Sequence, residues 1–335
     1  MALRIVGGQV RLRDGRALAF REYGADLGLP IIFTHGNLNS RLFEPVWDLT
    51  QEMTANTGVR IVAVDRPGYG DSTFHEGRTY TSWAHDVREL VDALELPRFA
   101  VLGFSSGGPH ALACAAHKTT LFANRLLCCG LIASDGPYWL LGPDLYKYMF
   151  AIPQSTAMTK SLAIPRCTQA EQRLRESYTC MAKEERRTLA LRDLDHAIKN
   201  GLDGPAQDAL LESSDWALPL HRLACPVWMW HGQSDDTVPP EAAWGLLDLL
   251  HRSSAPPTPC PAPNPDSSPT PSPASNPGPG FACSPSPDPS LSACRGGAQP
   301  PIHLELLEGE SHSLIRRHWG AILHRMVLLS ETARL

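Results

Sequence analysis

Short apolar runs that pass straight into turn residues limit the folds open to this chain. Pro30-Ile31-Ile32-Phe33-Thr34 leads into His35-Gly36, and Ile61-Val62-Ala63-Val64 leads into Asp65-Arg66-Pro67-Gly68. Phe99-Ala100-Val101-Leu102 leads into Gly103, and Leu126–Ile132 follows. Val227-Trp228-Met229-Trp230 then leads into His231-Gly232, and Ile302–Leu307 into Glu308-Gly309. Runs apolar on both faces are strands covered from both sides. Helical patterns lie between them. Trp83, Val87, Leu90, Val91 and Leu94 share one helix face, Pro109–Ala116 is alanine-rich, and Leu314–Leu329 is amphipathic. Strands alternating with helices predict an α/β fold with a mostly parallel sheet. Before them, two alternating runs flank Asp14-Gly15, a hairpin signal.

Two stretches break the alternation. From about Tyr138 to Trp216 the pattern is helical, for example over Gln169–Ala182 and Glu184–Asn200, with no strand-like run between. Such an insertion predicts a lid over the sheet's carboxyl edge, where open α/β sheets bind ligands. The second stretch holds 16 of the 30 prolines, between Pro256 and Pro301. It has too little apolar material to offset its ordering entropy and is expected to be a disordered surface insertion. Docking of a partner's aromatic groove on its prolines is the alternative. Cys260, Cys283 and Cys294 within it lack metal-ligand spacing. The expected organisation is a core over 1–137, a helical lid over 138–216, core again over 217–252, a Pro-rich insertion over 253–300, and a last core segment over 301–335.

Composition narrows the function. Apolar residues make up 43% of 335, enough for a sizeable core. Thirty basic residues against 35 acidic ones give a net charge of −5, which offers nucleic acid no footing. No apolar run reaches the roughly 18 residues of a membrane span, and the first residues lack a signal-peptide core. Nine cysteines without such a leader read as free thiols, with Cys128 and Cys129 as small core hydrophobes, so a cytoplasmic location is expected. No cofactor is expected, no cluster has metal-site spacing, and the Gly103–Gly108 run lacks the lysine of a phosphate loop.

The chemistry concentrates at Gly103-Phe104-Ser105-Ser106-Gly107-Gly108. A buried strand runs directly into Gly-x-Ser-x-Gly and then a helix. So sharp a turn strains its central residue and tolerates only small neighbours. Ser105 then projects above the sheet edge, with the Ser106 N–H at the start of the helix, where the dipole favours negative charge. Three further motifs follow strands: His35-Gly36-Asn37, Gly232-Gln233-Ser234-Asp235-Asp236-Thr237-Val238-Pro239, and Glu308-Gly309-Glu310-Ser311-His312.

Together, in this order, the four motifs resemble the lid-bearing branch of the α/β-hydrolase fold family. The resemblance covers the chain outside the Pro-rich stretch. It implies a mostly parallel sheet of about eight strands flanked by helices, with a helical lid. It also implies Ser105 as nucleophile, His312 as general base, Asp235 as the acid that orients it, and the N–H groups of Asn37 and Ser106 as the oxyanion hole. Asp236 beside it, and Asp135 at another strand end, compete with Asp235. His35 is expected to hold its loop, and Asp65–Ser72 to shape a turn. Tyr138, Trp139 and Phe150, with Tyr146 and Met149 nearby, would line an apolar acyl pocket or else pack the lid onto the core.

The resemblance implies a serine hydrolase that cleaves esters of small apolar substrates. Ser105 argues against the epoxide and halide chemistry of relatives with aspartate there. Aminopeptidase, carbon–carbon hydrolase and cofactor-free haloperoxidase chemistry stay open, as does a non-catalytic small-molecule receptor on the same fold.

Overall fold

The computed structural model describes residues 6–43, 49–141, 160–254 and 300–333. Val6–Arg11 (β1) and Ala17–Gly24 (β2) pair as an antiparallel hairpin, with Arg11 opposite Ala17. Asp14-Gly15 forms its tip. Gly15 takes a φ of 89°, and Asp14 Oδ1 accepts the Arg16 N–H at 3.0 Å. Six more strands follow: Leu29–Thr34 (β3), Val59–Val64 (β4), Phe99–Phe104 (β5), Leu126–Ile132 (β6), Val227–Gly232 (β7) and Ile302–Leu307 (β8). Their order is β1-β2-β4-β3-β5-β6-β7-β8. The β2–β4 pair is antiparallel, and every pair from β4 to β8 across the sheet is parallel. The expected eight-stranded, mostly parallel sheet is the observed one.

The helices of the core are Gln51–Thr57 (α1), Tyr80–Ala93 (α2) and Gly107–Ala116 (α3). After β6 come Tyr138–Leu141 (α4), Lys160–Thr179 (α5), Glu184–Ala197 (α6) and Asp203–Ser213 (α7). Pro240–Ser254 (α8) and Ile315–Thr332 (α9) are the last two α-helices among the described residues. Alternate strand residues feed two cores. Ile32, Val62, Val64 and Val101 meet Trp83, Val87, Leu112 and Leu246. Ile31, Phe33, Ile61 and Leu102 meet Trp319, Ile322 and Met326. This period-two division is why the strands read as continuously apolar. Trp83 and Trp319 are each 1% exposed, and truncating either to alanine costs about 3–5 kcal/mol. Thr79 and Ser82 start α2 with a reciprocal capping box.

The described part of the insertion between β6 and β7 is helical, but its elements differ in length from the expected ones. α5 begins at Lys160 rather than Gln169 and runs through Pro165. That proline lies in the second turn, where it forfeits one intrahelical bond without ending the helix. Tyr146, Met149, Phe150 and residues 255–299, with nearly all of the Pro-rich stretch, lie outside the described residues.

Candidate active site

The bend after β5 is built from close backbone contacts. Ser105 holds a φ of 52°, a left-handed conformation rare for a residue with a side chain. Its N–H donates to Ile132 O at 2.9 Å, and its carbonyl accepts from Gly108 N–H at 2.9 Å. A Cβ on Gly103 would lie 2.3 Å from Gly107 O, and one on Gly107 would lie 2.1 Å from Thr34 O. These glycines are therefore required by approach of the backbone, beyond any turn propensity.

His312 reaches this bend from the loop after β8. Gly232 permits that approach, since a Cβ there would lie 2.3 Å from Glu310 O. The imidazole Nε2 is 3.1 Å from Ser105 Oγ, and Nδ1 is 2.9 Å from Asp235 Oδ2. Asp235 Oδ1 accepts the N–H groups of Thr237 at 2.9 Å and Val238 at 2.8 Å. Burial pushes this carboxyl up, but the hydrogen bond from His312 and the Val238 amide outweigh it, so its pKa lies below the ordinary value. An ionised Asp235 takes the Nδ1–H, which leaves the Nε2 lone pair facing the serine hydroxyl.

The competing carboxylates are placed differently. Asp236 is exposed. Asp135 is buried, and its Oδ1 accepts the Tyr138 hydroxyl at 2.8 Å. Burial raises its pKa to about 6.

Asn37 and Ser106 flank the bend. Among the described residues, neither backbone N–H has an acceptor within the protein. Ser106 stands at the N-terminus of α3, where the helix dipole adds to its N–H. His35 is fully buried, and burial, reinforced by the nearby Arg66 charge, lowers its pKa to about 3. As a neutral ring it donates from Nδ1 to Gly36 O at 2.8 Å and accepts the Arg66 N–H on Nε2 at 3.2 Å. It ties the Asn37 loop to the loop after β4, as its sequence position suggested.

Tyr138 packs with Val238 and Ala242, and Trp139 meets Trp216 edge-on at 4.9 Å between ring centres. Two carboxylates on the helical insertion were not singled out from sequence. Asp193 on α6 accepts Ser40 N–H at 3.0 Å, Ser40 Oγ–H at 2.6 Å and Asn39 Nδ2–H at 2.9 Å. Burial raises it to about 7 despite those donors. Asp208 on α7 ion-pairs with Arg66 at 2.9 Å and with Arg78. Burial pushes it up, but the two guanidiniums prevail and leave it at about 2. A signal was present: Asp193 shares a buried stripe with Ala190 and Ala197, and Asp208 one with Pro205, Ala209 and Glu212. A carboxylate on the apolar face of a helix needs a buried partner.

Asp65, Asp71 and His196 bring ligating atoms within 4.8 Å of one another. Arg41 pairs with both of those carboxylates and Lys199 with Asp71, so the cluster is an ion-pair network.

The molecule is an α/β hydrolase: the sequence profile of the alpha/beta hydrolase fold matches residues 30–254, and the chain belongs to that family. A non-heme chloroperoxidase of Streptomyces lividans is 35% identical over 105 residues, which is 30% of this chain and only 36% of that protein's length. A bromoperoxidase from Bacillus anthracis superposes with a TM-score of 0.60 at 20% identity, covering 98% of this chain and 100% of that one. An esterase from Exiguobacterium antarcticum does so with a TM-score of 0.60 at 18% identity, covering 97% and 100%. At these identities the structural likeness speaks for the fold alone. Among the described residues, no helix is long and apolar enough to cross a membrane.

Proposed function

We propose that this protein is a serine hydrolase that cleaves carboxylic esters of small apolar substrates. One observation carries the reading: Ser105 Oγ, His312 Nε2 and Nδ1, and Asp235 Oδ2 stand in line at 3.1 and 2.9 Å, with Ser105 raised on a left-handed bend. In this mechanism Ser105 Oγ attacks the ester carbonyl carbon as its proton passes to His312 Nε2. Asp235 holds the imidazolium that results. The carbonyl oxygen becomes an oxyanion and accepts the N–H groups of Asn37 and Ser106. Removing one such donor typically costs about 2.7–4 kcal/mol in the barrier. Collapse expels the alcohol, which takes the proton from His312. Water then attacks the acyl-enzyme with His312 again as base, and the carboxylic acid leaves.

Residues 138–216 act as the lid in this proposal. Asp135 N–H reaches Ser105 O at 3.3 Å, and Tyr138 follows three residues later. That proximity supports Tyr138 and Trp139 as part of the acyl site. Cys114, Cys128, Cys129, Cys167 and Cys225 are buried free thiols, which supports a reducing, cytoplasmic setting.

The test is covalent labelling with a fluorophosphonate, beside a panel of p-nitrophenyl esters of increasing chain length, matched amides, carbon–carbon substrates and a halogenation assay. Labelling lost in Ser105→Ala, with turnover confined to esters, is expected. Folded wild-type protein that neither labels nor turns over any ester would point to a small-molecule receptor instead.

A further inference from the structure

We infer that Asp208, carried by the helical insertion, is a positioning residue that fixes both oxyanion donors at once: the Asn37 loop through Tyr69, and Ser106 through Arg66. The inference rests on the ester-hydrolase reading above. One arm is the Tyr69 hydroxyl, 2.7 Å from Asp208 Oδ2 and 2.9 Å from Asn37 Oδ1. A hydroxyl has one proton for two such neighbours, and the carboxylate is the stronger acceptor. Asn37 Oδ1 also accepts the Leu38 N–H at 2.9 Å and so stays an acceptor; the tyrosine proton is shared between the two oxygens, and Tyr69 joins the carboxylate to Asn37. The other arm is Arg66. Its guanidinium lies 2.9 Å from Asp208 Oδ2, and it donates to Ser106 O at 3.2 Å and to Ser106 Oγ at 3.0 Å.

Apart from Asn37, which is half-buried, the side chains of this bridge are held away from water. Asp208 and Arg66 are 0% exposed, as is Tyr69. In such surroundings a charge-assisted bond has few alternatives, so each partner is held to one geometry. The backbone brings the carboxylate there deliberately. A Cβ on Gly204 would lie 2.5 Å from Gly68 O, and one on Gly68 would lie 2.8 Å from Gly204 Cα. Two facing glycines thus seat α7 directly on the turn that carries Arg66 and Tyr69. Arg78 meets the second Asp208 oxygen and also donates to Gly204 O at 3.4 Å, locking the helix start to the same point.

An oxyanion donor stabilises the transition state only where it points at the developing charge, and misplacement of about 1 Å can cost about 10²-fold. Loosening this bridge should therefore reach the reaction without removing any group that touches substrate.

The experiment compares p-nitrophenyl acetate with its thionoester, in which sulfur replaces the carbonyl oxygen. Sulfur is larger and a poorer acceptor, so the oxyanion donors favour the oxygen ester. Wild type, Tyr69→Phe, Asp208→Asn and the double variant are assayed for kcat and KM on both. Expected is a fall in kcat on the oxygen ester, by roughly tenfold or more, with KM little changed and a smaller fall on the thionoester. The oxygen-to-sulfur ratio of kcat/KM then drops, and the double variant loses no more of it than Asp208→Asn alone. Tyr69→Phe removes one oxygen and keeps both arginine pairs, so it decides the matter if Asp208→Asn does not fold. An unchanged ratio, whether both esters slow together or neither slows, overturns the inference while leaving the hydrolase reading intact. A wild type without ester turnover and without Ser105 labelling overturns both.

Discussion

Asp235 and His312 are 77 positions apart in the chain, yet their Oδ2 and Nδ1 atoms are 2.9 Å apart. The contact joins the turn after β7 to the turn after β8, two parallel neighbours whose ends lie side by side. Asp235→Asn should keep this packing while presenting the wrong hydrogen-bond partner to the imidazole. Expected is a loss of about 10⁴-fold in kcat with an unchanged circular dichroism spectrum. Asp135→Asn, whose hydrogen bond goes to Tyr138 and not to the imidazole, should lose far less. If the two variants ranked in reverse order, Asp135 would be the orienting acid.

The bend itself makes a stability prediction. Gly107→Ala places a methyl where Thr34 O already stands, whereas Gly15→Ala meets nothing within 4 Å. Gly15→Ala should cost only about 1 kcal/mol, the penalty of a side chain at a positive φ. Gly107→Ala should cost several times that, about 3 kcal/mol or more, because backbone must move. Urea denaturation of the two variants checks the ranking.

Asp193 makes stability depend on pH. An exposed aspartate titrates near 3.9, whereas burial holds this one at about 7. Between those values the folded protein binds the extra proton, so stability falls as pH rises through that window. Asp135, at about 6, adds to the same slope. Asp193→Asn should flatten much of the decline between pH 4 and 7, measured as the denaturation midpoint in urea. A slope identical to wild type would mean that Asp193 ionises without hindrance.

None of the residues assigned chemistry lies between 255 and 299. Joining Ser254 to Pro300 should therefore leave ester hydrolysis nearly intact, as steady-state rates on the preferred p-nitrophenyl ester would reveal. Loss of rate in a variant that still labels with fluorophosphonate would assign the Pro-rich stretch a part in the reaction.

The sheet was legible in the sequence because every parallel strand except the edge strand β8 is largely buried on both faces, and each ends in a residue type with a duty. Thr34 is followed by His35-Gly36, Phe104 by Ser105, and Gly232 precedes Asp235 by three positions. The candidate triad followed from the resemblance of the motifs at those strand ends to the α/β-hydrolase family. Legibility ended at the helical insertion. Asp193 and Asp208 lie on stripes with small apolar residues, which asks for a buried partner, but the identity of that partner is given only when Ser40 and Arg66 arrive from the core. Pro165 stands near the beginning of α5 and leaves the helix intact. Partnership across 140 or more positions is a tertiary fact, and no local pattern encodes it.

The anchoring of the insertion has a consequence for redesign. Transplanted helices that lack an acid at the place of Asp208 would leave Arg66 and Arg78 as unanswered charges in the interior, a loss of about 3–5 kcal/mol when one buried partner is taken away. A chimera that alters substrate choice would have to carry both aspartates across with it, or replace the two arginines in the same step. The helical insertion and the core are bolted together through these buried pairs, and neither can be exchanged as an independent module.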